Sequence, residues 1–124
     1  MTKIAEQLMD RIRRYGHLTF VEATNFVASH GIDVKGDLAI CGLRKCDGEM
    51  DPNLILWAGM SQEFVDVMAE IRPHIDFAPE SQLTYLFDGA MLTFPIVQRP
   101  PSKGYASPHW LPVSLKPRAE VGAA

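Results

Sequence analysis

The sequence has few cysteines and no long apolar run, and both absences limit what the chain can be. Two cysteines in 124 residues are too few for the disulfide framework of a small secreted domain. No apolar stretch approaches the roughly 18 residues that span a bilayer. Glu6 and Asp10 lie where a signal peptide would carry its apolar segment. We therefore expect a cytoplasmic protein with reduced thiols and no membrane contact.

The sequence also lacks the motifs of the common enzyme classes. It contains no nucleophile elbow, phosphate loop, paired-histidine zinc helix or Rossmann glycine pattern. Cys41 and Cys46 have the spacing of a zinc knuckle, but a structural zinc site needs four ligands. No two of the four histidines lie close enough in sequence to complete it. We expect no catalytic residues, no metal site, no cofactor and no enzymatic activity.

What is present is the composition of an ordinary folded domain. Hydrophobic residues make up 47% of the chain and charged residues 22%, which excludes a disordered or collagen-like chain. A chain of this length buries roughly two thirds of its unfolded surface on folding, which is enough for a stable core without disulfides or metal ions. We expect a single domain over residues 1–116 and a flexible C-terminal tail over residues 117–124.

Charge is distributed unevenly along the chain, although the net charge is only −3. Residues 1–45 carry seven basic and five acidic side chains, whereas residues 46–90 carry nine acidic side chains and one arginine. Residues 91–124 return to an excess of basic side chains, four against one. The slightly negative net charge argues weakly against non-specific nucleic-acid binding. The two ends could still form a basic face.

Apolar spacing predicts three helices, near residues 3–15, 19–30 and 61–73. In the first, apolar side chains recur every four residues. The second begins with Thr19 and Glu22, which have the spacing of a capping box. The third has Ser61 as its cap and ends at Pro73, because the residue before proline resists helical geometry.

Strand signals occupy the rest of the chain. The predicted strands are residues 37–41, 53–58, 83–87, 91–97 and 109–115. Asp88-Gly89 between the third and fourth predicts a tight antiparallel hairpin. Pro112 predicts that the last strand lies at a sheet edge. Residues 42–51 are either a hairpin or a loop, and no periodicity decides between the two.

The order of these elements over residues 3–97 resembles the winged-helix superfamily. The first helix ends in glycine and leads through Leu18-Thr19-Phe20 into the second, and the third is followed by a two-stranded wing. The resemblance implies an α+β fold, with helices packed on a small antiparallel sheet or β-hairpin, and a role in DNA binding and transcription regulation. It also implies a homodimer formed through a terminal helix, for which we expect Met9 to be exposed. In contrast to that family, about thirty residues and a strand separate the second and third helices.

Two groups of basic and aromatic residues are the candidate nucleic-acid-binding sites. They are Arg11, Arg13, Arg14 and Tyr15 at the end of the first helix, and Arg99, Lys103 and Tyr105 in a proline-rich loop. The first group is also what a solvated helix end requires, and the second also suits a segment that packs Trp110 on the core. The third helix carries Glu63, Asp66 and Glu70, which would repel phosphates, so we do not expect it to read DNA.

Three functions therefore compete. The first is a small nucleic-acid-binding regulatory protein of winged-helix type. The alternative is a protein–protein interaction module, such as an adaptor, subunit or inhibitor, whose acidic surface of residues 47–80 meets a basic partner. The third, a metal- or thiol-dependent enzyme, has the least support.

Overall fold

The computed structural model describes residues 1–43, 49–81, 84–85, 92, 94–97 and 105–118. This part of the chain forms three helices and two small, mainly antiparallel sheets, which confirms the α+β class. The helices are α1 (Lys3–Tyr15), α2 (Phe20–Ser29) and α3 (Gln62–Ile71), the last continued by a 3₁₀ turn (Arg72–His74). The strands are β1 (Leu18–Thr19), β2 (Lys35–Leu43), β3 (Met50–Met60), β4 (Ile75–Pro79), β5 (His109–Trp110) and β6 (Val113–Pro117).

The three predicted helices are confirmed, and their ends follow from local chemistry. The predicted capping box at the start of α2 is formed, with Thr19 and Glu22 satisfying each other's backbone N–H groups. Ser61 caps α3 by accepting a hydrogen bond from the N–H of Phe64. Gly16 ends α1 with φ of 80°, a left-handed conformation that glycine adopts without steric cost.

The strands form two sheets of three strands each within the described part of the chain. The first sheet has the order β1-β6-β4, and both pairings are antiparallel. The second has the order β2-β3-β5, with β2 antiparallel and β5 parallel to β3. The antiparallel β2–β3 pair favours the hairpin interpretation of residues 42–51, although residues 44–48 lie outside the described residues. This pair is inserted between α2 and α3.

The predicted strand over residues 83–87 is wrong at the two positions that the structure describes. Thr84 and Tyr85 are helical, and the N–H of Thr84 donates to the carbonyl of Ser81 at 3.1 Å. The Tyr85 ring is completely buried, so tertiary packing overrides the local strand preference. In the following run, Ile96 forms a parallel bridge to Trp110. The predicted hairpin turn at Asp88-Gly89 lies outside the described residues.

The last predicted strand is divided at Leu111-Pro112, and the expected edge position holds for β5 but not for β6. Leu111 donates its N–H to Ile55 in the second sheet, whereas the Pro112 carbonyl accepts from Glu80 beside the first sheet. The chain therefore changes sheets at Pro112, a residue with no N–H to donate to either sheet. The strand that follows, β6, is central rather than at an edge.

The core lies between the helices and the two sheets, and it includes both tryptophans. Trp57 and Trp110 are 8% and 0% exposed, so both are core residues. Met9 is also completely buried, so the expectation of an exposed Met9 at a dimer contact is wrong: α1 packs this side of its stripe inward against α3 and β6. Among the described residues no helix is long and apolar enough to cross a bilayer.

The first sheet extends into the stretch that we predicted as a tail. Pro117 is the last residue of β6 and pairs with Ile75. Arg118 forms an ion pair with Asp76, its Nε lying 3.0 Å from the carboxylate oxygen. The expected start of the tail at residue 117 is therefore wrong, since sheet structure reaches Pro117 and Arg118 is held by hydrogen bonds, and residues 119–124 lie outside the described residues.

Candidate nucleic-acid interface

The end of α1 brings two arginines onto one exposed aromatic ring. The guanidinium carbon of Arg11 lies 5.3 Å from the centre of the Tyr15 ring, and that of Arg14 lies 5.9 Å from it. Arg14 and Tyr15 follow Arg11 by three and four positions, so the helix places both of them beside Arg11 on its surface. The Tyr15 side chain is 54% exposed. We call Arg11, Arg14 and Tyr15 the arginine cluster.

Helix α2 extends the arginine cluster with a second aromatic ring. The Arg11 guanidinium carbon lies 5.1 Å from the centre of the Phe26 ring, and Phe26 packs on His30 with ring centres 4.6 Å apart. Nδ1 of His30 is 2.9 Å from the carbonyl oxygen of Phe26. The Arg11 side chain is thus held between aromatic rings of two helices.

A cleft of about 280 Å³ opens between α1 and α2 at this point. Its lining consists of Gln7, Asp10, Arg11, Arg14, Tyr15, Phe26 and His30. Arg11 also borders a neighbouring cleft of about 350 Å³, with Glu22, Asn25 and Ser29. The two clefts give Arg11 open space on both sides. A bound group could therefore approach its guanidinium without rearrangement of the backbone.

The surface around the arginine cluster carries more positive than negative charge, although Asp10 also lies there. Arg13 lies 3.6 Å from the Asp10 carboxylate, and both side chains are exposed, so this pair is weak. Within the described residues, neither Arg11 nor Arg14 has a carboxylate within 4.0 Å. Arg13 and Arg14 also lie in the last turn of α1, where positive charge favours the helix dipole. The helix dipole accounts for positive charge at this helix end. It does not account for the position of the Arg11 and Arg14 guanidiniums over the Tyr15 ring.

Tyr105, the second predicted aromatic contact, belongs to a different part of the molecule. Its N–H donates to the buried Asp51 carboxylate at 3.1 Å, and its carbonyl accepts from Asn53 at 2.7 Å. Its ring stacks on His109 with centres 3.9 Å apart. These contacts tie Tyr105 to the start of β3, not to α1. Arg99 and Lys103, predicted with it, lie outside the described residues.

The carboxylates of α3 are partly engaged within the protein. Glu70 accepts hydrogen bonds from the N–H and hydroxyl of Thr2, at 3.2 and 2.6 Å. Asp66 accepts from the side chain of Gln62 at 2.7 Å. Glu63 is exposed in the first turn of the helix, where a negative charge favours the dipole. This face remains acidic, as the sequence predicts.

Cys41 is a free thiol in β2, and its surroundings disfavour the thiolate. Burial, followed by the negative charge of Asp51, raises the pKa of the Cys41 thiol, and Arg72 offsets this in part. The sulfur lies 3.7 Å from the carbonyl oxygen of Pro52. In the described part of the chain no three histidine, cysteine, aspartate or glutamate side chains gather as a metal-binding group. Cys46 lies outside the described residues.

Comparisons with protein-family models, with curated proteins and with solved structures find no match to this chain. The evidence for its function is therefore the arrangement of its own side chains. Phe26 and His30 are the site residues that sequence reasoning missed. Their spacing of four places them on one helix face, but nothing in the sequence indicates that this face meets Arg11 on another helix.

Proposed function

We propose that this protein is a small nucleic-acid-binding regulatory protein that contacts DNA through the arginine cluster. The observation that carries the proposal is the pair of guanidiniums, without carboxylate partners in the described part of the chain, beside the exposed Tyr15 ring. Guanidinium groups bind phosphate oxygens with two parallel hydrogen bonds. Exposed aromatic rings stack on nucleobases that are unpaired or at a strand end. The cluster offers both groups on one surface.

The order of the helices supports this proposal, but the predicted wing does not. The succession α1, β1, α2 and α3 follows the first part of the order that suggested a winged-helix domain, whereas Thr84 and Tyr85, expected in the first strand of the wing, are helical. The inserted β2–β3 pair separates α2 from α3, so the acidic α3 need not act as the helix that reads DNA. Contacts through the end of α1 and through the basic segment containing Arg99 and Lys103 would place positive charges against the negative phosphates.

The test is an anisotropy titration of labelled random-sequence DNA, as duplex and as single strand, with the full chain. We expect the double variant Arg11→Ala/Arg14→Ala to weaken binding to both at least tenfold, because it removes two phosphate contacts. The control variant Lys3→Ala/Lys116→Ala removes the same charge from exposed sites elsewhere and should weaken binding much less. Equal losses in the two variants, or no binding by the unaltered protein, would overturn the proposal.

The second candidate, a protein-interaction module, is favoured by a different observation. Glu63 and Asp66 are exposed on α3, and carboxylates on such a surface attract and orient a basic partner. The variant Glu63→Gln/Asp66→Gln separates the two functions. It should leave DNA binding unchanged or stronger if the arginine cluster is the working surface. Loss of the biological activity in this variant, with no effect of the arginine changes, would favour the interaction module.

A further inference from the structure

A cavity of about 490 Å³ lies between the two sheets, remote in sequence from the arginine cluster. Its walls are mainly apolar and come from both sheets: Leu43, Leu54 and Leu56 from one, and Ile75, Phe77 and Val113 from the other. The volume is within the range of small-molecule binding sites, which combine apolar walls with a few polar groups. A ligand with an apolar body would therefore find a preformed space here.

The charged groups that line this cavity are two arginines and one aspartate. Arg118 is engaged within the protein, since it pairs with Asp76 at 3.0 Å and donates to the carbonyl of Pro73 at 3.3 Å. Arg72 lies over the Phe77 ring, its guanidinium carbon 5.3 Å from the ring centre. No carboxylate of the described residues lies within 4.0 Å of Arg72. The cavity thus carries one positive charge that no described carboxylate neutralises.

We propose that this cavity binds a carboxylate with an alkyl chain, such as a medium-chain fatty acid. The chain would lie between the sheets, against Leu54 and Leu56, and the carboxylate would meet the Arg72 guanidinium. Charge complementarity selects an anionic head group, because a cationic one would face the Arg72 guanidinium, which no described carboxylate neutralises. Arginine matches the planar carboxylate with two parallel hydrogen bonds. This site is independent of the proposed nucleic-acid interface and can be tested without DNA.

Calorimetric titration of the full chain with hexanoate, octanoate and decanoate tests the apolar part of the site. Each additional buried methylene should strengthen binding about fourfold, so decanoate should bind most tightly. Decyltrimethylammonium has the same chain length and the opposite charge, and it should bind at least tenfold more weakly than decanoate. No detectable binding of decanoate, or equal binding of the two amphiphiles, would overturn the proposal.

A variant pair tests the role of Arg72. Arg72→Gln should weaken decanoate binding at least tenfold and leave the weaker binding of the uncharged decan-1-ol unchanged. Arg13→Gln removes the same charge from an exposed site on α1 and should have little effect. Backbone amide shifts locate the ligand: decanoate should move the signals of Gly42 and Phe77 and not that of Gly16. Equal effects of the two variants, or shifts confined to other regions, would show that this cavity is not the site.

Discussion

The hydroxyl of Tyr85 donates a hydrogen bond to the carbonyl oxygen of Val113, with 2.6 Å between the two oxygens. The same hydroxyl accepts a hydrogen bond from the N–H of Phe20 at 3.1 Å. The Tyr85 ring is completely buried, between Trp57 and Trp110. One side chain therefore links the start of α2 to the start of β6 inside the core.

The change Tyr85→Phe should reduce the free energy of unfolding by about 1–3 kcal/mol. It keeps the ring but leaves a buried N–H and a buried carbonyl without this partner, and such groups cost about that much. Urea unfolding followed by circular dichroism measures the difference. The control, Tyr15→Phe, removes a hydroxyl from a ring that is 54% exposed and should change stability little. Equal effects of the two changes would contradict this account of the core.

The change Ser114→Ala should leave the protein equally stable or stabilise it by about 1 kcal/mol. The Ser114 hydroxyl is completely buried in β6 and has no hydrogen-bond partner within the described residues. A buried hydroxyl without a partner costs free energy that alanine does not. The measurement is the shift of the thermal midpoint, with Ser29→Ala on the exposed end of α2 as the reference. A clear loss of stability in Ser114→Ala would show that the hydroxyl has a partner.

Gly16→Ala should destabilise the protein by about 1–2 kcal/mol. At φ of 80° the residue adopts a conformation that side chains with a Cβ resist, although a Cβ here would meet nothing within 4 Å. The cost is therefore conformational rather than steric. Gly16→Asn should cost less, because asparagine tolerates the left-handed region better. Denaturant unfolding of both variants checks the order, which would be reversed if crowding rather than φ were decisive.

Cys41 should react slowly with iodoacetamide at neutral pH, because burial raises the pKa of its thiol and the thiolate is the nucleophile. Its neutral form is favoured in the folded state. The contribution of this preference to the free energy of unfolding is fully present below the unfolded thiol's pKa of about 8.5. It is lost as the pH rises through the folded pKa. Alkylation followed by mass spectrometry, in a Cys46→Ser background, should be slower in the folded than in the urea-unfolded chain. Equal rates would contradict this environment for Cys41.

The helices of this fold could be predicted from the sequence because their signals are local. Thr19 and Glu22 are three residues apart, and a capping box needs nothing else. The sheet order could not be predicted, since β6 pairs Leu115 with both Leu18 and Phe77, which are distant in sequence. Short apolar runs do not specify their partners or, as at Tyr85, even their secondary structure.

The same distinction applies to the two candidate sites. Arg11, Arg14 and Tyr15 share a helix face by their spacing, so this part of the nucleic-acid interface could be predicted. The contribution of Phe26 depends on how α2 packs against α1, and that is a tertiary contact. The position of Arg72 at an apolar cavity depends on the placement of both sheets. Neither relationship leaves a pattern in the sequence.

The most direct test of the central claim is the salt dependence of DNA binding by the unaltered protein and by Arg11→Ala/Arg14→Ala. Each phosphate contact contributes about 0.9 to the slope of the logarithm of the binding constant against the logarithm of the salt concentration. If the arginine cluster binds phosphates, the double variant should lower the magnitude of this slope by about 1.8. The control variant Lys3→Ala/Lys116→Ala should leave the slope nearly unchanged. A slope unaltered by loss of both arginines would contradict the assignment of the arginine cluster as the DNA-binding surface.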